Sequence, residues 1–388
     1  MKMDRQHNRT TACSTTEQKT TTVVFIDDGI NPDAVPDGVL FDSYIVDDSE
    51  VKRDSYRYET THGTRCYEVF RDIVKVPYCL ISIKVLDDMT GVGTHKAMVA
   101  ALHWCSKNDV DLINMSMGTK QYSDFAAVVE AVTNLSHIPI VAACSNSNTL
   151  TFPACLPTVI GVRYCEHKLT QDNYLYQTDP YDHVEVLVCS ASNTIQSNSM
   201  ATPIVTARVC EYISNGDTEP DVIKQRLKLD SIKNYSFPDY DFYKSLLPEW
   251  EEVSIPVVAV SGRDSGTIDK LISLLDVFIR DGYRAVALTD SCAADMPNLI
   301  FQLKWHGEDQ VSLVELIKLY YNFTLPDIIF LHMDMHSINI LPEELQPGIV
   351  LAHDWESDSY NSHIAEAPVL DLDESKENLF MQIRDLLS

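Results

Sequence analysis

Short apolar runs that alternate with helix-length segments constrain the fold of this chain more than any other feature. The strand-like runs lie at residues 23–26, 77–88, 110–115 and 139–144, and the helical segments at residues 66–74, 94–108 and 124–135. This alternation indicates a parallel sheet that is covered by helices on both faces. The sequence therefore predicts an α/β fold with reactive residues at the carboxyl ends of its strands. The acidic stretch at residues 40–60 lacks the pattern and is predicted to be an irregular surface excursion.

Candidate catalytic residues stand at the ends of these elements. Asp27 follows the first strand, His62 stands at the start of the first helix, and Asn146 follows the strand at residues 139–144. Ser199 begins a small-residue helix, where its own backbone N–H can face an oxyanion. Nucleophilic catalysis by a serine requires a base, a carboxylate that orients this base, and donors for the oxyanion. All these residue types are present, although each one alone is more often a helix cap or a turn residue.

The segments that contain these residues resemble the motifs of the subtilisin-like serine peptidases, or subtilases. The matching segments are Asp27-Asp28-Gly29, Thr61-His62-Gly63-Thr64, residues 111–118, Ala142-Ala143-Cys144-Ser145-Asn146 and Asn198-Ser199-Met200-Ala201-Thr202-Pro203. They follow the family's order of Asp, His and Ser, and the resemblance covers residues 21–213. It implies that Ser199 is the nucleophile, that His62 is the general acid/base and that Asp27 orients His62. It also implies an oxyanion hole formed by the Asn146 side chain and the backbone N–H of Ser199.

The residue after Asp27 departs from the family pattern, because Asp28 stands where subtilases usually have Ser or Thr. Chemistry alone does not decide which of these two neighbouring carboxylates faces His62. Neighbouring residues of a strand point to opposite sides of the sheet, and the register of the motif favours Asp27.

Three further departures add side chains close to the S1 pocket and the oxyanion loop that the resemblance predicts. Ser145 replaces the glycine before the oxyanion asparagine, Ser197-Asn198 replaces Gly-Thr before the nucleophile, and Thr119 follows Gly118 in place of a second glycine. These side chains are expected either to narrow the pocket or to require a bound substrate that aligns it. None of them removes a reacting group.

The resemblance also predicts residues that bind an extended substrate by main-chain pairing and by side-chain pockets. They are Ser116, Met117, Gly118, Ala143, Ser145, Asp87 and Asp88. Asp87 and Asp88 are expected near the non-primed subsites, where they would favour Lys or Arg in the substrate. The alternative is that both are solvated loop acids.

Composition excludes several classes of function. The chain has 388 residues and a formal net charge of −27, which argues against nucleic acids and anionic membrane surfaces as partners. The ten cysteines lack paired metal-ligand spacing and no loop has calcium-ligand spacing, so no metal or cofactor is predicted. Residues 1–20 are polar and lack the apolar segment of a signal peptide, which predicts a flexible tail and a cytoplasmic protein with free thiols. No stretch is apolar over the ~18 residues that a membrane span requires.

The rest of the chain is predicted to form a connector and a second domain. The predicted boundaries are 1–20 for the tail, 21–213 for the protease domain, 214–252 for a packed connector and 253–388 for the accessory domain. Strand-like runs of the accessory domain lie at residues 255–260, 284–288, 327–331, 348–352 and 369–373. Helical segments separate them, which predicts a second three-layer, Rossmann-like α/β domain. We expect this domain to dock a protein partner or the leader of the substrate.

Two motifs of the accessory domain suggest ligands but lack the residues for them. The turn at residues 261–266 resembles a degenerate P-loop, because Thr267 and Ile268 stand where the lysine and the Mg²⁺-binding hydroxyl belong. NTP hydrolysis is therefore not expected, while an anion at this helix start stays an open alternative. The potential metal ligands after a later strand are His332, Asp334 and His336. Without a second ligand pair, they are interpreted as polar loop residues.

Together these observations predict a serine endopeptidase that processes a peptide precursor in the cytoplasm. The two-domain arrangement is similar to that of proteases encoded with ribosomal peptide natural products in Gram-positive bacteria, where a leader peptide is removed. The acidic chain is compatible with a basic peptide as the substrate. Two other interpretations stay open. One is a binding or scaffold protein with a catalytically weak protease fold, and the other is a switch regulated by a nucleotide or anion in the second domain.

Overall fold

The computed structural model contains two sheets, each built mainly from parallel strands. It describes residues 19–55, 60–87, 90–165, 173–178, 180–189, 196–232, 234–235, 240–246, 251–262, 265–292, 294–303, 311–353 and 367–387. The α/β class predicted from the alternation of strands and helices is confirmed. Most of the predicted N-terminal tail lies outside the described residues. No helix in the described ranges is long and apolar enough to cross a membrane.

The first sheet contains ten strands within the described residues. They are β1 (Thr21–Asp27), β2 (Phe41–Asp47), β3 (Glu50–Arg53), β4 (Tyr78–Lys84), β5 (Leu112–Met115), β6 (Ile140–Ala143), β7 (Ile160–Cys165), β8 (Asn173–Gln177), β9 (Val186–Cys189) and β10 (Asn234–Tyr235). Their order is β10-β8-β9-β7-β6-β5-β1-β4-β2-β3, and only the pairs β2–β3 and β8–β9 are antiparallel among the described pairs. Strand β1 is paired with β4 and β5 on its two sides, so Asp27 ends a strand in the interior of the sheet.

Helices cover both faces of this sheet. Successive residues of a strand point to opposite sides, so each helical layer packs on alternate residues. The helices are α1 (His62–Ile73), α2 (His95–Cys105), α3 (Tyr122–Thr133), α4 (Asn198–Ser214), α5 (Pro220–Asp230) and α6 (Tyr240–Leu246). Val23 and Phe25 share one apolar core with α1 and α4, whereas Val24 and Ile26 share another with α2 and α3. The alternating residues of β1 therefore bind a helical layer on each face.

Residues 40–60 were predicted to be irregular, and this prediction is wrong. They contain the antiparallel hairpin of β2 and β3, in which Asp47 pairs with Glu50. Asp48 and Ser49 between them have left-handed backbone angles, with φ of 45° and 67°, as a tight hairpin turn requires. Strand β3 is the edge strand of the sheet, where charged side chains are common and the apolar alternation is weak.

The second sheet contains six strands within the described residues, and all its pairs are parallel. The strands are β11 (Val257–Val260), β12 (Ala285–Thr289), β13 (Ile300–Gln302), β14 (Ile328–His332), β15 (Ile349–Ala352) and β16 (Val369–Asp371). The helices are α7 (Ser265–Arg280), α8 (Leu313–Thr324), α9 (Met335–Asn339) and α10 (Lys376–Leu387). Helices α7 and α10 pack on one face and α8 on the other, which gives three layers. The strand order β13-β12-β14-β11-β15-β16 places β14 between β11 and β12.

One apolar core runs from the first unit (the first sheet with α1–α5) through α6 into the second unit (the second sheet with α7–α10). Phe152 of the first unit, Tyr243 of α6 and Phe323 of α8 all belong to this core. Tyr122 Oη donates a hydrogen bond to the carbonyl oxygen of Thr324 at 2.8 Å across the same junction. The two units are thus packed together, while the predicted domain boundaries stay predictions.

Candidate active site

Three of the predicted residues meet at the carboxyl edge of the first sheet. Asp27 ends β1, His62 begins α1, and Ser199 is the second residue of α4. His62 Nδ1 lies 2.9 Å from Asp27 Oδ1 and 3.1 Å from Asp27 Oδ2. His62 Nε2 lies 3.0 Å from Ser199 Oγ. The three side chains therefore form one continuous hydrogen-bonded chain from a carboxylate to a hydroxyl.

Capping side chains fix the starts of the two helices that carry this chain. The hydroxyl of Thr61 accepts a backbone N–H of the first turn of α1 at 3.0 Å, and the hydroxyl of Ser197 does so for α4 at 3.3 Å. Such N-caps bind N–H groups that have no partner inside the helix. They set the direction of each first turn and therefore the positions of His62 and Ser199.

The carboxylate of Asp27 controls the protonation of His62. Asp27 is buried, with 1% of its side chain exposed, whereas 31% of the His62 side chain is exposed. The hydrogen bond to Asp27, and then the contact with Cys66, raise the pKa of His62 above its usual value of 6.5, although burial opposes the change. An imidazole with a raised pKa is a stronger base than a free histidine.

Asp28 has different partners from Asp27. Its carboxylate accepts the backbone N–H groups of His62 at 3.0 Å and Gly63 at 2.7 Å. It therefore lies at the positive end of α1, where a negative charge is stabilising. Burial, and then the neighbouring charge of Asp27, raise the pKa of Asp28. The hydrogen bonds thus distinguish the two adjacent carboxylates: Asp27 contacts the ring of His62, and Asp28 accepts backbone N–H groups.

Gly63 brings the start of α1 unusually close to the end of β1. A Cβ atom at this position would lie 2.7 Å from the carbonyl oxygen of Gly29 and 3.0 Å from Asp27 Cβ. The nearest of these is a backbone atom, which cannot move aside as a flexible side chain can. Glycine at position 63 therefore permits the short distance between His62 and Asp27.

Cys66 is a neighbour of the site that the sequence analysis missed. It lies one helical turn after His62, and its Sγ is 3.8 Å from each ring nitrogen and 3.6 Å from the carbonyl oxygen of Ser199. Burial raises the pKa of its thiol. Spacing of four residues on a helix places two side chains on the same face, so this neighbour could have been found from the sequence.

Asn146 lies close to Ser199, and one hydrogen bond fixes the orientation of its amide. Its Oδ1 accepts the backbone N–H of Asn198 at 3.1 Å. Because a backbone N–H can only donate, the oxygen of the amide must face Asn198, and the Nδ2 donors face elsewhere. The backbone N–H of Ser199 stands in the first turn of α4, where N–H groups lack a partner within the helix. The structure therefore places an amide side chain and a backbone N–H of the first turn near the start of α4.

Asn198 holds this region together, which the sequence did not predict. It is 4% exposed. Its Nδ2 donates to the carbonyl oxygen of Ser145 at 2.6 Å, and its Oδ1 accepts the backbone N–H of Tyr164 at 2.7 Å. This departure from the family pattern therefore bridges β7, the segment after β6 and the start of α4, and it also lines a cavity beside Asn146 and Ser197.

Hydroxyl side chains crowd the place where the S1 pocket was predicted. The backbone N–H of Ser145 donates to Thr151 Oγ1 at 3.1 Å, and Ser145 Oγ lies 3.0 Å from Ser147 Oγ. A Cβ atom on Gly118 would lie 2.7 Å from Thr151 Cγ2. Thr119 pairs with Phe152 through two backbone hydrogen bonds of 2.8 and 3.0 Å. Narrowing of the pocket, or its alignment by a bound substrate, stays a prediction.

The other predicted substrate-binding residues are less accessible or otherwise engaged. Ser116 and Ala143 are buried, and Met117 is partly buried against the apolar core. The carboxylate of Asp87 accepts the N–H and the hydroxyl of the residue three positions later, both at 2.9 Å. Asp88 lies outside the described residues. Binding of a basic side chain by these two acids stays a prediction.

The side chains suggested as metal ligands in the second unit do not form a cluster. His332 Nε2 lies 2.6 Å from the carbonyl oxygen of Gly262, and its Nδ1 lies 2.9 Å from Thr289 Oγ1. Within the described residues, the only group of three close potential ligands consists of Asp27, His62 and Cys66. That group overlaps the hydrogen-bonded chain already described.

The α/β fold, with an Asp, a His and a Ser that meet at one sheet edge in this chain order, resembles the subtilases. Curated relatives confirm the resemblance. Subtilisin DY of Bacillus licheniformis is 40% identical over 91 residues, which cover 21% of this chain and 32% of that protein. Subtilisin J of Geobacillus stearothermophilus is 26% identical over 181 residues, covering 43% of this chain and 47% of the relative. Subtilisin of Bacillus pumilus is 25% identical over 181 residues, covering 43% and 65%.

The match is partial in every comparison. The chain spans between about a third and two thirds of the length of these curated relatives. A cold-adapted subtilisin-like serine proteinase of known structure has a TM-score of 0.42 at 20% identity, over 62% of this chain and 95% of that chain. A lanthipeptide protease has a TM-score of 0.40 at 14% identity, over 55% and 80%. No protein-family model matches the chain.

Proposed function

We propose that this protein is a serine endopeptidase of the subtilisin type, with Ser199 as the nucleophile and His62 as the general acid/base. Asp27 orients the imidazole, and the oxyanion hole consists of Asn146 Nδ2 and the backbone N–H of Ser199. The observation that carries the proposal is the unbroken chain from Asp27 through His62 to Ser199 Oγ, with contacts of 2.9 and 3.0 Å. The similarity to subtilisins supports it.

The geometry is suited to acyl transfer. As Ser199 Oγ attacks the scissile carbonyl carbon, His62 Nε2 takes the hydroxyl proton and the carbonyl oxygen becomes an oxyanion. The oxyanion is bound by the donors of Asn146 and Ser199, which act most strongly on the transition state. His62 then gives its proton to the leaving amine, and the C-terminal product departs. A water molecule, deprotonated by His62, hydrolyses the acyl-enzyme in the second half of the reaction.

The proposed substrate is a peptide precursor, which the enzyme cuts selectively instead of digesting proteins in bulk. The support is the cluster of hydroxyl side chains around Ser145 and Thr151, which would restrict the substrate side chains that fit beside them. The net charge of −27 favours a basic peptide, and removal of the leader of a ribosomal peptide natural product is one such reaction. The second unit is proposed to dock the leader or a protein partner. A cytoplasmic location is supported by thiols of the described part of the chain that form no disulfide, such as Cys66, Cys105 and Cys144.

An active-site serine probe tests the catalytic proposal directly. Wild-type protein is expected to gain one covalent adduct by intact-mass spectrometry and to cleave a mixed peptide library at few sites. Ser199→Ala is expected to lose both the adduct and the cleavage. Ser231→Ala removes another hydroxyl at the end of α5 and serves as the matched control, which keeps both. An adduct that persists in Ser199→Ala, or a wild-type protein without adduct and cleavage, overturns the proposal and favours a binding protein.

A further inference from the structure

The loop that carries Asn146 is held by elements from outside the first unit. We call residues 144–151 the oxyanion loop. The backbone N–H of Leu150 donates to the carbonyl oxygen of Phe323 in α8 at 3.0 Å. Asn148 Nδ2 donates to the carbonyl oxygen of Leu246, the last residue of α6, at 3.1 Å. Two of the loop's hydrogen bonds thus go to α6 and to the second unit.

Asn148 connects this external support to the oxyanion donor. Its backbone is left-handed, with φ of 54°, a conformation that asparagine tolerates better than most residues. Its Oδ1 accepts Arg163 Nε at 2.9 Å and lies 3.4 Å from Asn198 Nδ2. Asn198 donates its backbone N–H to Asn146 Oδ1. Two hydrogen-bonded steps therefore separate Asn148 from the amide that is proposed to bind the oxyanion.

A buried ion pair lies behind Asn148. Arg163 and Asp182 are each 1% exposed, and Arg163 Nη2 donates to Asp182 Oδ2. The hydroxyl oxygen of Tyr243 in α6 lies 3.1 Å from Asp182 Oδ1 and 2.9 Å from Gln177 Oε1, and its single proton can be donated to either. A buried ion pair contributes little net stability compared with apolar residues, and its best-attested use is to fix one geometry. Here the fixed geometry includes the position of Asn148.

A small cavity lies at the junction around Arg163. This cavity of about 10 Å³ adjoins the guanidinium, with walls from Tyr181 in the first unit, Leu246 in α6 and Tyr320 in α8. Among the described residues, Arg163 Nη1 has no hydrogen-bond partner. The cavity has room for about one water molecule, which is the expected partner for this nitrogen. All three parts of the protein therefore meet at the side chain that orients Asn148.

We propose that Asn148 and Arg163 are positioning residues for the oxyanion hole, and that α6 and the second unit support the same loop. This inference rests on the proposed function. A misplaced oxyanion donor weakens binding of the transition state and leaves binding of the substrate nearly unchanged. Loss of this network should therefore lower kcat far more than it raises KM.

The variant Asn148→Gly tests the role of the side chain, because glycine adopts the left-handed backbone without strain. The matched control is Asn215→Gly, which removes an exposed amide at the opposite end of α4. We expect Asn148→Gly to lower kcat by about 10- to 100-fold, less than the loss of a whole oxyanion donor, with KM changed by less than about twofold. Tyr243→Phe, which removes a hydroxyl of α6 from Asp182, is expected to change kcat in the same direction by a smaller factor.

Hydrogen exchange of the oxyanion loop provides a readout that does not depend on activity. Asn148→Gly is expected to increase exchange at residues 144–151, whereas Asn215→Gly is not. A kcat that stays unchanged in Asn148→Gly, a rise in KM alone, or an equal loss of kcat in the control overturns the positioning role. If the wild-type protein cleaves no peptide and takes up no probe, the proposed function fails instead. Unchanged exchange in Asn148→Gly would then also refute the support of the loop.

Discussion

The carboxyl edges of the two sheets share an architecture and differ in the partners of their histidines. At the first edge, His62 lies between the buried carboxylate of Asp27 and the hydroxyl of Ser199. At the second edge, the buried His332 lies between the Thr289 hydroxyl and the carbonyl oxygen of Gly262. Both histidines contact a hydroxyl, but Thr289 is 0% exposed, whereas Ser199 is partly exposed and can meet a substrate. A parallel sheet supplies the place for a site, and the partners of each ring nitrogen decide whether that site can transfer a proton.

A second histidine, His353, lies at the same edge and has both a carboxylate and a hydroxyl as neighbours. His353 lies 3.0 Å from Asp373 Oδ2 and 3.4 Å from Thr267 Oγ1, which imitates the order of carboxylate, imidazole and hydroxyl. Thr267 is 0% exposed, however, so its hydroxyl cannot meet a substrate. The position of a hydroxyl relative to solvent is therefore as important as its hydrogen bond to a histidine.

The largest expected effect distinguishes the two histidines. His62→Ala is expected to lower kcat by about 10⁶-fold, because it removes the base of the proposed mechanism. His332→Ala is expected to leave kcat unchanged and to reduce the free energy of unfolding by about 1–3 kcal/mol, because buried polar groups lose their partner. Peptide hydrolysis and urea denaturation of both variants measure these effects. Similar losses of kcat in the two variants would refute the distinction.

A smaller effect is expected from the close approach of α1 to β1. Gly63→Ala places a Cβ atom against the carbonyl oxygen of Gly29 and should displace His62 from Asp27. A displacement of ~1 Å is expected to lower kcat by about 10²-fold. Gly348→Ala in the second unit is the control, since no atom lies within 4 Å of its added Cβ. Full activity of Gly63→Ala would show that the spacing at this edge is not required.

The smallest expected effect concerns pH. Only neutral His62 can accept a proton, and Asp27 and Cys66 raise its pKa, so the active form appears only as the pH rises through that raised value. The lower midpoint of kcat/KM against pH is therefore expected above the usual histidine value of about 6.5. Cys66→Ala removes the second of these two causes and should move the midpoint to lower pH. A midpoint that moves upward in this variant would contradict the assignment.

The sequence predicted features that depend on short-range patterns. Apolar alternation and cap residues show where β1 ends and where α1 and α4 begin, and these are the positions of Asp27, His62 and Ser199. The β2–β3 hairpin escaped prediction because its strands lie at or beside the sheet edge, where few side chains are fully buried. Burial supplies the apolar pattern on which such predictions depend.

The network behind the oxyanion loop could not be predicted for a different reason. Arg163 stands in a strand whose other residues are mostly apolar, and nothing nearby in the sequence identifies Asp182 or Asn148 as its partners. Asn198 lines a cavity as well, but its hydrogen bonds to backbone groups of two other segments could not be predicted from the sequence. Hydrogen bonds between distant segments leave no periodic pattern, so they become visible only when the chain is folded.

During synthesis, the residues of the candidate active site are made before the second unit that supports them. Ser199 and Asn146 leave the ribosome well before α8, whose Phe323 binds the backbone of the loop through Leu150. A nascent chain therefore carries the proposed nucleophile before it carries the support for the proposed oxyanion donors. Peptide cleavage should therefore be slower until the carboxyl half has folded against the first unit.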